Sequence, residues 1–263
     1  MPKSIDYKIP PVVEVVCGAA FQRLNGFKVP HVGIFWKELP SKFEDVEENP
    51  PLVYPNEPVE FANIPPHPRT WFLTSDGREL VQLQQNRFLY NWKQPTGKPI
   101  DKYPEFANIF PDFLQYLGIF RSFISDQEIG EVEFHQFELT YVNLIPAEAV
   151  KGLVEFYSDV LIDHVFKSSR SRFLPRPKTF KWVTTFALPD NLGQLHVTAE
   201  SALRKSDTRE ELLRLELAVR GMSQDNSDDG MKSWFGVAHD WIVEGFADMT
   251  DQKVQDDVWG RKR

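Results

Sequence analysis

The stretch RTWFLTSDGRELVQLQQNRFLYNW, residues 69–92, decides how the chain is read. RTWFLTS has the composition of a strand, and Ser75-Asp76-Gly77 behind it is a hairpin signal, because these residues accept the backbone angles of a tight turn. ELVQLQ resumes with Val81 and Leu83 on one face, but beyond Gln85-Asn86 the apolar phase changes to Phe88, Tyr90 and Trp92. Strand side chains alternate with period two, so a single straight strand cannot hold both sets on one face. A tight turn or a bulge at Gln85-Asn86 resolves the conflict, and we read two short strands forming a hairpin. Phe88, Tyr90 and Trp92 then become packing residues. Arg87, Asn91 and Lys93 are left as the exposed candidates.

Working outward, a first strand spans Val12 to Leu24 with Val13, Val15, Cys17, Ala19 and Phe21 on one face, ended by the turn Asn25-Gly26. HVGIFWKEL (31–39) reads as a short helix stopped by Pro40. Residues 40–68 are acidic and hold eight prolines, which suits an extended surface connection better than a helix or a central strand. Downstream, YPEFANIFPDFLQYLGIFRSFI (103–124) places Phe106, Ile109, Phe110, Phe113, Leu114, Leu117 and Phe120 on one helical stripe, with Pro111 either breaking it or starting a second helix.

After Gly130 the strand EVEFHQFELTYVNLI (131–145) runs to Pro146. A helix is expected over 147–166, where Val150, Leu153, Val154, Tyr157, Val160 and Leu161 recur at helical spacing. Three alternating strands follow, at 179–188, 193–203 and 210–221. The last helical region starts near Asp229, and Thr250 is the expected cap of a short final helix ending at Trp259-Gly260. The pattern predicts α+β, with one or two antiparallel sheets whose helices pack on one face and whose other face is partly open. It divides into two topologically similar strand-helix-strands-helix halves, 1–130 and 131–263, which are two domains or one continuous one.

Composition narrows the function. With 38 acidic against 30 basic residues the net charge is −8, which disfavours general polyanion binding, though local basic patches remain compatible with it. The single cysteine, Cys17, rules out an internal disulfide framework, and its apolar neighbours make it a buried, inert thiol. MPKSIDYKIPP has no apolar signal region and no apolar run reaches membrane-spanning length, so a cytoplasmic protein with no membrane contact is expected. No phosphate-cradling glycine loop, nucleophile elbow or HExxH is present. The six histidines stand at no metal-ligand spacing, and the adjacent pair His239-Asp240 points in different directions. Neither a cofactor nor a metal is expected.

Two polar features remain. KSSRSRFLPRPKTFK (167–181) carries Lys167, Arg170, Arg172, Arg176, Lys178 and Lys181 with no acid among them. It is either a basic surface loop or an element that meets phosphates or an acidic protein. If Phe180, Trp182, Phe186, Val197 and Leu215 face the helices, the opposite face of the last three strands shows Lys181, Thr185, His196, Thr198, Glu200, Arg214, Glu216 and Arg220. Such a face is cross-strand salt bridging in solvent, or an open polar sheet that holds a ligand or partner. A Glu200–Glu216 pair with His196 nearby would be needed for proton transfer. The tentative binding set is therefore Arg170, Arg172, Arg176, Lys178, Lys181, His196, Arg214 and Arg220, with no catalytic residue assigned.

PPVVEVVCGAAF (10–21), RTWF, LVQLQQNRFLYNW, YPEF and FELTYVN (137–143) together resemble a family of uncharacterised bacterial proteins known mainly for sporadic distribution among genomes. The similarity covers most of the chain, is strongest over 10–145, and ends with the helix closing on Trp259-Gly260. It implies an accessory gene, in stress response, toxin neutralisation or defence against phage, and transfers no catalytic residue. The expectation is a non-catalytic binding protein that engages a protein partner or an anionic ligand through the basic loop and the polar sheet face. A nucleotide-binding module or enzyme on that same face is the alternative, and direct nucleic-acid binding a third reading.

Overall fold

The computed structural model of the protein describes residues 5–52, 67–95, 102–164, 173, 175, 177–204 and 210–262. In chain order the elements are β1 (Asp6–Tyr7), β2 (Val12–Phe21), α1 (Val29–Glu38), β3 (Phe43–Asn49), β4 (Arg69–Thr74), β5 (Glu79–Gln84), β6 (Arg87–Lys93), α2 (Phe106–Asp126) and β7 (Phe134–Pro146). Then come β8 (Lys181–Ala187), β9 (Gln194–Arg204), β10 (Glu210–Gly221), α3 (Asp228–Met249), α4 (Gln252–Asp257) and β11 (Arg261–Lys262). The fold is α+β with antiparallel sheet pairing, as the strand pattern predicts. The chain divides into two compact units, Val15–Glu138 and Met1–Glu14 with Leu139–Arg263.

In the first unit the strand order is β3-β4-β5-β6-β2-β7. The hairpin β5–β6 turns on two residues, Gln85 and Asn86, and pairs Gln84 with Arg87, Leu83 with Phe88 and Val81 with Tyr90. That register explains the phase change in the sequence. A two-residue turn returns Val81, Leu83, Phe88 and Tyr90 to the same face, and β4 adds Phe72 opposite Val81. On this face the helices contribute Phe35 and Phe120. Phe35 lies 5.7 Å from Phe72 and 5.6 Å from Phe120 between ring centroids, and Phe120 lies 5.5 Å from Phe21 and 5.3 Å from Phe88. Each buried ring of this kind contributes on the order of 1.5–3 kcal/mol. The β4–β5 turn rests on Gly77, whose φ of 73° is costly for residues with a Cβ.

Two expectations about this unit change. Helix α2 is one continuous helix with Pro111 inside it, although proline cannot donate to the carbonyl one turn back and costs about 3 kcal/mol in a helix interior. Ile109, Phe113, Tyr116, Leu117, Phe120, Phe123 and Ile124 are all buried from this helix, and their burial outweighs that loss. Within the proline-rich segment 40–68, Phe43–Asn49 forms a true strand. It lies at the end of the strand order with Glu44, Asp45, Glu47 and Glu48 exposed, a charged edge of the kind that discourages pairing with other chains.

The second unit has the order β7-β10-β9-β8 and a short β1–β11 pair. Leu195, Val197, Ala199, Leu213, Leu215, Leu217 and Val219 are buried on the α3 side. Trp234 of α3 donates from Nε1 to the Leu192 carbonyl at 2.8 Å, and His239 stacks edge-on to Tyr141 at 6.1 Å. Tyr7, Phe246 and Trp259 pack together, with Tyr7 Oη donating to Gln255 Oε1 at 2.9 Å.

The expected helix over 147–166 is absent from the described part of that segment. Residues 147–164 form three short 3-10 turns at Ala147–Val150, Tyr157–Val160 and Ile162–His164. Gly152 takes φ 82°, and Lys151 and Leu161 are extended, so the right-handed path is interrupted twice. The apolar spacing recorded the burial of Val150, Val160 and Leu161. Among the described residues of 147–164 the second half thus has no helix to match the one in the first. Asp251, and not Thr250, caps α4, accepting from the Val254 amide at 3.0 Å, while the Thr250 hydroxyl donates back to the Phe246 carbonyl.

Candidate functional site

The polar face read in the last three strands exists. Pairing sets Lys181 opposite Glu200 and Glu200 opposite Arg214, with Thr185 opposite His196, Thr198 opposite Glu216 and Gln194 opposite Arg220. Its charges bond one another: Lys181 to Glu200 at 3.2 Å, Arg214 to Glu200 at 3.6 Å and to Glu216 at 2.5 Å. His196 Nδ1 lies 3.3 Å from the Thr185 hydroxyl. Glu200 and Glu216 thus meet through an intervening guanidinium, an ion-pair arrangement rather than two carboxylates sharing a proton. At this exposure such pairs contribute little, about 0–1 kcal/mol each. Lys178 is exposed, and Arg170, Arg172 and Arg176 lie outside the described residues.

A second polar face lies in the first unit, on the side of its sheet away from α1 and α2. Sequence reading passed over most of it. Pairing places Asn49 opposite Arg69, Trp71 opposite Gln82, Gln82 opposite Leu89 and Gln84 opposite Arg87. Asn91, opposite Leu80, shares this side. Arg87 and Asn91, expected to be exposed, are each only 3 % accessible, and Gln82 is 5 %. The correction has a simple cause. Once the turn sits at Gln85-Asn86, every second residue back from it and forward from it falls on the same side, so the amides gather on one surface instead of being spread in solvent.

The bonds on this face are incomplete. Gln82 donates from Nε2 to Asn91 Oδ1 at 2.7 Å, and Gln84 both accepts from the Leu52 amide at 2.9 Å and donates to Asn86 Oδ1 at 2.8 Å. Yet Asn49 Nδ2, Trp71 Nε1 and Gln82 Oε1 on this face, like His67 Nδ1 ahead of β4, are buried atoms that find no hydrogen-bond partner among the described residues. Buried polar atoms are rarely left so, and each costs about 1–3 kcal/mol. Two cations flank Trp71, the Arg69 guanidinium 5.1 Å and the Lys93 ammonium 5.7 Å from its ring centroid, while Glu47 stands opposite it on β3. Beside them a small cavity of about 10 Å3, roughly one water in size, is lined by Gly18, Ala20, Arg87, Leu89, Gln136 and Glu138.

Two histidines of the first unit are shifted by burial and by other cations. Burial first, and then the charges of Arg23 and Lys28, lower the pKa of His67; burial and then Arg87 lower that of His135. Both rings are therefore biased towards the neutral form. Asn49, Arg69, Trp71 and Lys93 are half-exposed and form the outer part of the surface, while Gln82, Gln84, Arg87 and Asn91 form its buried part. The arrangement offers donors, one amide acceptor and two cations at Trp71, with Glu47 and Glu138 as carboxylates of the same side, a set that suits holding a ligand.

A third constellation is built on the helix side of the same unit. The Tyr90 hydroxyl lies 3.0 Å from Glu79 Oε2 and 3.2 Å from Asp112 Oδ2, and Lys42 bonds both Glu79 oxygens at 2.7–2.8 Å. Burial and the two neighbouring carboxylates push the Tyr90 phenol well up, so it stays protonated as the shared donor. Burial, and next the charge of Glu79, raise the pKa of Asp112. Cys17 is fully buried and its thiol is pushed well up by burial, which leaves it unreactive in the folded chain.

His239 and Asp240 do meet, at 3.7 Å, contrary to the expectation for adjacent helix positions; burial nevertheless lowers the His239 pKa. Among the described residues no group of three or more His, Cys, Asp or Glu is placed to hold a metal ion, and no helix is long and apolar enough to cross a membrane. No protein-family model, curated protein or solved structure matches the chain.

Proposed function

We propose that the protein is a non-catalytic binding protein that takes an anionic ligand on the helix-free face of its first unit. The observation that carries this reading is the set of three buried polar atoms on that face, on Asn49, Trp71 and Gln82, without partners among the described residues, with Arg69 and Lys93 against the Trp71 ring. A ligand that satisfies them must present acceptors to the Asn49 and Trp71 N–H groups and a donor to Gln82 Oε1. A nucleotide does both: its base edge mixes donors and acceptors, and its phosphates suit the two cations. The polar face of the second unit is the weaker candidate, because its charges are already matched to one another. An accessory role in a bacterial stress, toxin-neutralising or defence system belongs to the same proposal and is supported by the family resemblance.

The test is a thermal-shift screen of nucleoside mono- and triphosphates, with inorganic phosphate and citrate as separate arms. At 100 times its dissociation constant a ligand stabilises by about 2.7 kcal/mol. The expected result is a shift of that order with a nucleotide, lost in Trp71→Phe, which keeps the ring but removes the indole N–H. A shift with citrate or phosphate alone would retain the anion site and remove the base. No shift in any arm overturns the reading.

A further inference from the structure

The second unit contains a groove that the ligand site does not use. It has a volume of about 570 Å3 and lies between one side of α3 and the sheet. Its apolar lining is Phe186 of β8, Leu195 of β9, and Trp241 and Met249 of α3. Phe186 is 39 % exposed and belongs to the strand at the end of the sheet order. Trp241 is half-exposed. Large rings left open beside a groove mark a surface that gains by being covered.

The rim has a single sign. Asp240, Glu244 and Asp248 follow one another at four-residue intervals along α3, and Asp163 joins them on the groove from the third 3-10 turn. All four are exposed, and among the described residues no lysine or arginine lines the groove. Asp163, Glu244 and Asp248 have no ion-pair partner among the described residues, and Asp240 meets only His239, whose lowered pKa keeps it mostly neutral. An apolar floor with an acidic rim unmatched among the described residues is complementary to a peptide segment in which basic side chains alternate with apolar ones.

We propose that this groove docks a basic, amphipathic peptide segment of a partner protein. Apolar side chains of the segment cover Phe186, Leu195 and Trp241, and its arginine or lysine residues pair with Asp163, Asp240, Glu244 and Asp248. Rim charges of this kind set the on-rate and the choice of partner, while the covered rings hold the complex. The proposal is independent of the anionic-ligand reading, since it uses a different unit and the opposite charge.

The experiment is fluorescence anisotropy of the intact 263-residue chain with a labelled peptide alternating arginine with leucine and phenylalanine. Two control peptides replace arginine by glutamine or the apolar residues by serine. The variants are the isosteric triple Asp240→Asn/Glu244→Gln/Asp248→Asn and the single Trp241→Ala. The expected result is binding by the wild type that weakens by about tenfold or more in the triple variant and in each control peptide, with the triple variant's melting temperature unchanged. Equal binding by wild type and the triple variant, or equal binding of the arginine and glutamine peptides, overturns the proposal. So does the absence of binding to the wild type. Should Trp241→Ala fail to fold, the triple variant alone decides.

Discussion

At Gln82 one carboxamide atom is bonded and the other is not, and this asymmetry has a measurable consequence. Its Nε2 donates to Asn91, while Oε1 has no partner among the described residues. Removing a fully bonded buried glutamine leaves its partners unsatisfied and costs about 1–3 kcal/mol. Gln82→Met removes one made bond and one unmade one while nearly conserving volume. We expect its stability in urea to differ from wild type by less than about 1 kcal/mol. A loss well above that would show that Oε1 is satisfied in the folded protein and that the surface is structural. The ligand-induced thermal shift, by contrast, should fall in the same variant. Stability retained with binding lost is what separates a residue kept for a ligand from one kept for the fold.

The element scale shows what the sequence could carry. The β5–β6 hairpin was readable because a period of two tolerates only one position for the turn, and the change of phase between Leu83 and Phe88 points to it. The same turn implied that Gln82, Gln84, Arg87 and Asn91 share a side. What alternation could not supply was their burial, since that depends on what lies over the sheet and not on the strand itself. Trp71 joins them across the β4–β5 hairpin that Asp76-Gly77 signals, whereas Asn49 comes from β3, beyond the proline-rich connection, through a pairing no local pattern encodes. The segment 147–166 failed in the opposite direction. Its apolar spacing is helical, but Gly152 and the extended residues Lys151 and Leu161 turn it into separate 3-10 turns.

The junction of α2 with β5 and β6 yields a pH prediction. Asp112 of α2 faces Tyr90 and Glu79, and its pKa in the fold is raised by burial and by the Glu79 charge. A carboxyl whose folded pKa exceeds its unfolded value binds more protons when folded, so its contribution to stability falls as pH rises through that interval and stays reduced above it. Asp112→Asn cannot ionise, and its amide oxygen can still accept from Tyr90. The variant should therefore be more stable than wild type at neutral pH, with the gain shrinking as pH falls towards the ordinary aspartate range. Urea midpoints across acid to neutral pH measure it. A gain that grows in acid would mean that Asp112 is held by a cation, as Glu79 is by Lys42.

For the whole molecule, the two proposed sites predict opposite responses to salt. The protein carries a net charge of −8, so an anionic ligand approaching Arg69 and Lys93 meets long-range repulsion before it meets local attraction. The Debye length is about 30 Å at 0.01 M salt, about 10 Å at 0.1 M and about 3 Å at 1 M. Moderate salt screens the distant carboxylates first and the contact cations last. Affinity for the anion should accordingly rise from low to intermediate ionic strength and decline only beyond it. A basic peptide in the α3 groove is attracted both by the net charge and by Asp240, Glu244 and Asp248, so its affinity should fall monotonically over the same range. Titrating both probes against sodium chloride separates the sites without any substitution. A monotonic fall for the anion would mean that it binds where cations dominate at long range as well, which Arg69 and Lys93 alone cannot supply in a chain this acidic.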